Sequence, residues 1–286
     1  MKSLLMITTG GTIASERTDK STGEGLAPAK SGAQLLPELD DARIDVLDLY
    51  ALDSTDVTPA HWRRLYDAVT ENLPLYDGIV ILHGTDTMAY TGAVLALTVG
   101  SEKPVILTGS MIPFGAPDSD AQYNIVSACE CALSEQLHGV WLTFGKRLIG
   151  GADIVKVSSS DKDAFRSYSG FAPSETFPFP ADNALFPAVI KLAPFTCAAD
   201  IKRAAEGHCG AVIETYGTGG LPAGEITDAV CELAKKICVI ITTHCLGGTD
   251  LERYAVGQRA INAGAAEGGK MSSECAAVHL WLTQGQ

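Results

Sequence analysis

The chain has 286 residues, a length that suits one large or two medium domains. Hydrophobic residues make up 46% and charged residues 19%, a globular composition that excludes a disordered chain. A net charge of -13 argues against a nucleic-acid binder, which needs clustered Lys and Arg.

In chain order, SLLMITT reads as a first strand and ends on Gly10-Gly11. ARIDVLDLY is a second strand. Thr58 then stands as a helix N-cap with Pro59 at the first helical position, and Trp62, Leu65, Tyr66 and Val69 fall on one face of the helix that follows. GIVILHG is a buried strand, MAYTGAVLALTVG a helix, KPVILTGS a strand, AQYNIVSACECAL a helix and GVWLTFG a strand. Short continuous apolar strands alternating with helices predict an α/β fold, a mostly parallel sheet with helices on both faces. Residues 170 to 186 carry three prolines and no periodicity, which suits a linker. Beyond it AVIKLAPF, GAVIETYGTGG and ICVIITTHC read as strands of a smaller C-terminal α/β domain. The expected organisation is therefore an N-terminal domain over 1–169, a linker over 170–186 and a C-terminal domain over 187–286.

No stretch approaches the ~20 apolar residues of a membrane span, and the N-terminal apolar run is too short for a signal peptide. The eight cysteines form no C-x-x-C pair and no zinc-finger spacing with histidine. Free thiols in a reducing compartment are the expectation. Without a signal or membrane segment the chain reads as cytoplasmic, and no metal set is apparent, so neither metal nor cofactor is expected.

In parallel sheets ligands sit at the carboxyl ends of strands. The segments there are TTGGTIAS, LDSTD, HGTDT and TGSMIP, all rich in hydroxyls. Gly10-Gly11 permits a sharp turn and a close backbone approach, but neither a P-loop nor a dinucleotide fingerprint is present. The turn presents Thr12 instead, as a nucleophile or as part of a structural turn. Thr85 and Asp86 follow a strand directly, so Asp86 or Thr87 can equally cap the next helix. His83 reads as a hydrogen-bonded core residue, and Ser54 with Asp56 as turn chemistry ahead of Pro59. Lys156 taken alone reads as a solvated charge. Taken together, a threonine, an aspartate and a lysine at one sheet edge would be a variant of the nucleophile–base–orienter triad.

TTGGTIAS and HGTDTMAYT, with DSTDVTP, TGSMIP, SDAQYN, DIVKVSSSDKDAF, GAVIETYGTGG and ITTHCLGG in order, resemble the bacterial-type asparaginase/glutaminase family. DSTD and TYGTGGLP are most similar to its cytosolic, type I branch. The resemblance implies hydrolysis of L-asparagine to L-aspartate and ammonia through an acyl-enzyme. It implies Thr12 as nucleophile, and Thr85, Asp86 and Lys156 as a second triad in which the lysine tunes the Thr85 hydroxyl. It further implies that Ser54 and Thr55 hold the substrate carboxylate, that Asp86 pairs with the substrate ammonium, and that backbone N–H groups near Thr85 form the oxyanion hole. The family also implies a homodimer or homotetramer, with residues around Tyr216 to Gly220 or Asp250 to Tyr254 completing the partner's site. Nucleic-acid and membrane partners are not expected. This sequence departs from the family pattern at Leu26, which falls where many members carry a loop tyrosine; none occurs between Thr12 and Tyr50. It is also short around the linker and ends at LWLTQGQ. The same motifs occur in the asparaginase-like subunit of a tRNA-dependent amidotransferase, and a non-catalytic amino-acid sensor would keep the same pocket.

Overall fold

The computed structural model describes residues 1–17, 26–28, 30–39, 42–100 and 102–285. The chain divides into two compact units: residues 1–167 with 173–176, and residues 168–172 with 177–286.

The first unit contains β1 (Lys2–Gly10), β2 (Ser15–Arg17), β3 (Leu26–Pro28), β4 (Ala42–Leu52), α1 (Pro59–Asn72), β5 (Gly78–Leu82) and α2 (Met88–Thr98). It continues with β6 (Pro104–Thr108), α3 (Ala121–Ala132), β7 (Gly139–Phe144), β8 (Arg147–Gly150), β9 (Ile154–Lys156) and β10 (Phe165–Ser167). Its six-stranded sheet has the order β4-β1-β5-β6-β7-β8, parallel except for the edge strand β8.

Alternation along each strand sorts the core into two layers. Leu5, Ile7, Ile79, Ile81, Val105 and Leu107 face one way, against Leu65 and Val69 of α1 and Met88 and Leu95 of α2. Leu4, Met6, Val80, Leu82 and Ile106 face the other, against Ala121, Ile125 and Ala128 of α3. Every residue of β5 and β6 is buried, which is why these segments read as continuous apolar runs. Proline at the start of α1 and Thr58 at its N-cap set the helix entry, where His61 Nδ1 accepts from the Thr58 amide at 3.1 Å.

The second unit contains β11 (Ala188–Lys191), α4 (Ala198–Ala204), β12 (Gly210–Thr215), α5 (Glu225–Ala234), β13 (Cys238–Thr243), α6 (Ala255–Asn262), β14 (Ala266–Glu267) and α7 (Ser273–Gln284). Its four-stranded parallel sheet has the order β11-β12-β13-β14. Ala211, Ile213, Val239 and Ile241 pack with Ile201, Ile226, Val230 and Ala260 on one face, and α7 lies against β12 and β13. Within the segment read as a linker, Phe177 and Phe179 set their rings edge-on to His279 and Trp281 of α7. The chain thus has the expected α/β architecture, a larger mostly parallel sheet flanked by helices and a smaller α/β domain.

Candidate active site

The chain leaves β1 and crosses to β4 on one side of it, then returns to place β5 on the other. Such a switch point opens a crevice at the carboxyl ends of the strands, where α/β sheets bind ligands. The turn after β1 is shaped by its glycines. Gly10 has φ +97° and Gly11 φ +78°, conformations that L side chains rarely adopt. Space excludes a side chain as well: a Cβ on Gly10 would lie 2.4 Å from the backbone of Leu52, and one on Gly11 2.4 Å from the Cα of Gly84. The loops after β1 and β5 therefore touch backbone to backbone. Gly11 donates to Leu52 O at 2.8 Å, Thr9 Oγ1 to Leu82 O at 2.9 Å and Phe114 N to Ile13 O at 3.3 Å, so the loops after β1, β4, β5 and β6 interlock.

Thr12 opens a one-turn 3₁₀ helix (Thr12–Ala14) behind the glycines and is half-buried. Its hydroxyl makes no hydrogen bond among the described residues. Thr85, 6% exposed, follows Gly84. Lys156 reaches it from the short β9–β10 hairpin, donating to Thr85 Oγ1 at 2.8 Å and to Asp86 Oδ1 at 2.6 Å. The hairpin is rigid at its base because Ile154, Ala164 and Phe165 belong to the sheet's core, with Phe165 edge-on to Phe144. The lysine side chain is 19% exposed, Asp86 55%, so the carboxylate has an open side toward solvent. An ion pair this exposed orients its partners more than it stabilises the fold.

Ser54 is 4% exposed and ties the loop after β4 to the same place. Its Oγ accepts from Asp86 N at 3.2 Å, which leaves the Ser54 proton free, while its carbonyl accepts from Thr87 Oγ1 at 2.9 Å. Thr87 sits at the N-cap of α2 without capping it through its side chain, and Asp86 is engaged by Lys156 instead. Thr55 is exposed and donates its amide and hydroxyl to Asp53 Oδ1, at 2.9 and 2.8 Å. Its side chain is not joined to the group formed by Ser54, Thr85, Asp86 and Lys156. Leu26 lies in β3 with its backbone opposite Arg17; its side chain is outside the described residues. The C-terminal candidates, residues 216–220 and 250–254, lie at the carboxyl edge of the second unit's sheet, linked by Asp250 N donating to Thr218 O at 2.8 Å.

Two groups at the first edge have no sequence signal as site residues. Asp120, 8% exposed, accepts from Met111 N and Ile112 N at 3.0–3.1 Å and from Asn124 Nδ2 at 3.1 Å. Asn124 also donates to Gly109 O and accepts from Gly145 N. This buried polar network fixes the loop after β6. His83 is fully buried, and desolvation pushes its pKa down to about 4. Among the described residues no group of His, Cys, Asp and Glu has a metal-holding arrangement, and no helix is long and apolar enough to cross a membrane. The eight cysteines are unpaired, with Cys129, Cys231 and Cys275 buried.

Residues 3–176 match the family domain described as "Asparaginase, N-terminal", and residues 188–286 that described as "Glutaminase/Asparaginase C-terminal domain". The chain belongs to the asparaginase family. It is 36% identical to the L-asparaginase of Thermococcus kodakarensis over 99% of this chain and 92% of that protein. It is also 30% identical to a glutamyl-tRNA(Gln) amidotransferase component of Methanobrevibacter smithii, over 100% of this chain and 72% of that one. The solved structure of the thermostable L-asparaginase from Thermococcus kodakarensis superposes with a TM-score of 0.87 at 34% identity, over 99% of this chain and 93% of that chain. The asparaginase-family assignment read from the two motifs is thus shown, as is the family's two-part α/β fold.

Proposed function

We propose that this family member is an amidohydrolase that converts L-asparagine to L-aspartate and ammonia through a threonine acyl-enzyme. The observation that carries the reading is Lys156 bridging Thr85 and Asp86 at the switch point, against the Gly11 turn that presents Thr12. Thr12 Oγ attacks the side-chain amide carbon. The C–N bond breaks, the nitrogen leaves as ammonia with the threonine proton, and an ester joins Thr12 to the aspartyl group. Water then adds to the ester carbon, the C–O bond to Thr12 breaks, and the threonine recovers its proton. Because Thr85 Oγ1 accepts from the lysine, its own proton is free to hold the incoming water or to relay a proton. The open side of Asp86 receives the substrate ammonium, and the free Ser54 proton donates to the α-carboxylate. Thr55 is assigned to the rim of that pocket.

Cytoplasmic placement is supported by the unpaired cysteines. Self-association as a homodimer or homotetramer, which the resemblance implies, is read by sedimentation. The likeness to part of a tRNA-dependent amidotransferase favours a second reading, in which the released ammonia serves a partner enzyme. A net charge of -13 favours a small substrate over direct tRNA contact. The deciding experiment is ammonia release by the purified chain alone, with L-asparagine and L-glutamine in separate reactions and Thr12→Ala as control. Asparagine turnover that disappears in the variant supports the hydrolase. Binding of asparagine without turnover by the wild-type chain would overturn it and leave a sensor. The ratio of the two amides measures selectivity, since one methylene shifts it by only ~1–3 kcal/mol.

A further inference from the structure

His83 follows β5 directly, with no solvent exposure and no role in the chemistry above, yet both its nitrogens are engaged. Nδ1 lies 2.6 Å from the carbonyl oxygen of Gly84, and Nε2 lies 3.0 Å from Thr91 Oγ1 on α2. Trp62 Nε1, on α1, donates to the same Thr91 oxygen at 3.0 Å. A carbonyl oxygen only accepts, so Nδ1 carries the proton. Nε2 is then the acceptor of a neutral ring, and Thr91, having accepted from the indole, gives its own proton to it. Burial favours the neutral ring and holds the pKa down to about 4. The chain of donors thus runs from Trp62 through Thr91 and His83 to the Gly84 carbonyl.

That carbonyl belongs to the Gly84–Thr85 peptide. In a trans peptide the C=O and the following N–H point in opposite directions. With the carbonyl drawn to the buried imidazole, the Thr85 N–H points away from it. No acceptor among the described residues takes that N–H, whereas the next one, of Asp86, is occupied by Ser54. On its other side Gly84 is pressed against Gly11, beside Thr12.

We propose that His83 is a positioning residue: fixed by Thr91 and Trp62, it orients the Gly84–Thr85 peptide so that the Thr85 N–H faces the oxyanion formed when Thr12 attacks. The proposal rests on the acyl-transfer reading above, but its structural half is tested without turnover.

Nitrogen-15 NMR of the full chain labelled at histidine, with the His83 signals identified by their loss in His83→Gln, reads the tautomer directly. A neutral ring protonated at Nδ1 from pH 8 to pH 5 is expected. An Nε2–H tautomer, or titration near pH 6.5, would overturn the relay whether or not the protein hydrolyses amides. Kinetics read the other half. Asparagine Nδ2 can stand in for Nδ1 of the ring, whereas glutamine Nε2 stands in for Nε2. His83→Gln is therefore expected to lower kcat by at least about tenfold, toward the ~10²-fold that a misplaced group costs, with KM within about threefold. His83→Asn recovers most of that loss. Equal losses in the two variants at equal thermal stability, or a loss confined to KM, would overturn the positioning role. Wild-type chain that shows the expected tautomer but no turnover would sink the hydrolase reading and, with it, the oxyanion assignment.

Discussion

In the N-terminal unit, β1 runs out into Thr9-Gly10-Gly11-Thr12; in the C-terminal unit, β12 runs out into Tyr216-Gly217-Thr218-Gly219-Gly220. Both are Gly- and Thr-rich loops at the carboxyl edge of a parallel sheet, yet their hydrogen bonds differ. The second loop closes on itself: Gly219 N and Gly220 N both donate to Tyr216 O, at 2.9 and 2.7 Å. Its neighbours are satisfied too, with Thr243 Oγ1 donating to Gly217 O at 2.6 Å and Thr215 Oγ1 to Thr242 O at 2.7 Å. The first loop instead spends its bonds on the adjacent loops and leaves the Thr12 hydroxyl unpartnered among the described residues. A lysine is delivered to that edge by a separate hairpin, whereas Lys191 of the second sheet pairs with Glu214 at 72% exposure. Similar strand ends do not make equivalent sites. What distinguishes them is the polar groups that the fold leaves unsatisfied.

The strongest way to break this contrast is Lys156→Met, which keeps most of the unbranched side chain and removes its charge. Loss of a group that tunes a proton relay is expected to lower kcat by about 10²- to 10⁴-fold. The thermal midpoint is expected to hold, because Asp86 is half exposed and the pair contributes little to stability. Steady-state ammonia release and a melting curve on the same sample decide it. Turnover within tenfold of wild type would reduce Lys156 to a structural charge.

Glycine substitutions sharpen the comparison from the backbone side. Gly11 has φ +78° and ψ -179°, a region open essentially to glycine alone, and its Cβ position collides with Gly84. Gly11→Ala is expected to cost about 3 kcal/mol and to push the two loops apart, lowering activity along with stability. Gly217 has φ +51° with nothing within 4 Å of a Cβ. Gly217→Ala there costs about 1 kcal/mol of left-handed strain and no collision. Chemical unfolding of the pair of variants measures the difference; equal costs would show that the close approach of Gly11 to Gly84 contributes nothing.

Much of this was legible in the sequence, and the failures have physical causes. β5 and β6 were readable because both faces are buried, so every residue is apolar. Pro59 and Thr58 announced α1. By contrast β8, β9 and β10 span three or four residues each, too few for a period to emerge, and the Lys156 hairpin is defined only by the pairing of Phe165–Ser167 with Ile154–Lys156. Thr85, Asp86 and Lys156 could be noticed as separate motifs, but nothing local says that residues 70 or more positions apart share hydrogen bonds. The contacts of Thr91 with Trp62 and with His83 are hidden for the same reason, since each of these residues also reads as a good helix or core residue.

His83 also gives the N-terminal edge a pH signature. The folded pKa of about 4 lies below the ordinary 6.5. Between those values the unfolded chain binds a proton that the folded chain refuses. Stability from this group is therefore complete above pH 6.5, falls as the pH is lowered and is gone by about pH 4. The full span is worth about 3 kcal/mol. Urea unfolding at pH 7.5 and pH 4.5, with His83→Asn subtracting the contribution of the carboxylates, should show a smaller acid loss in the variant. Identical losses would place a titrating His83 in the folded state.

The smallest expected effect lies at the second edge. The Tyr216 hydroxyl is buried and has no hydrogen-bond partner among the described residues, an exception in a loop that otherwise satisfies itself. An unpaired buried hydroxyl is a cost, so Tyr216→Phe is expected to stabilise the chain by about 1 kcal/mol and to leave kcat and KM where they were. That outcome keeps the contrast intact: the loop after β12 is architecture. If the variant instead raises KM for asparagine, the hydroxyl finds its partner only when substrate is bound. The C-terminal edge would then belong to a working site in the assembled protein, and the difference between the two loops would lie in when each is satisfied.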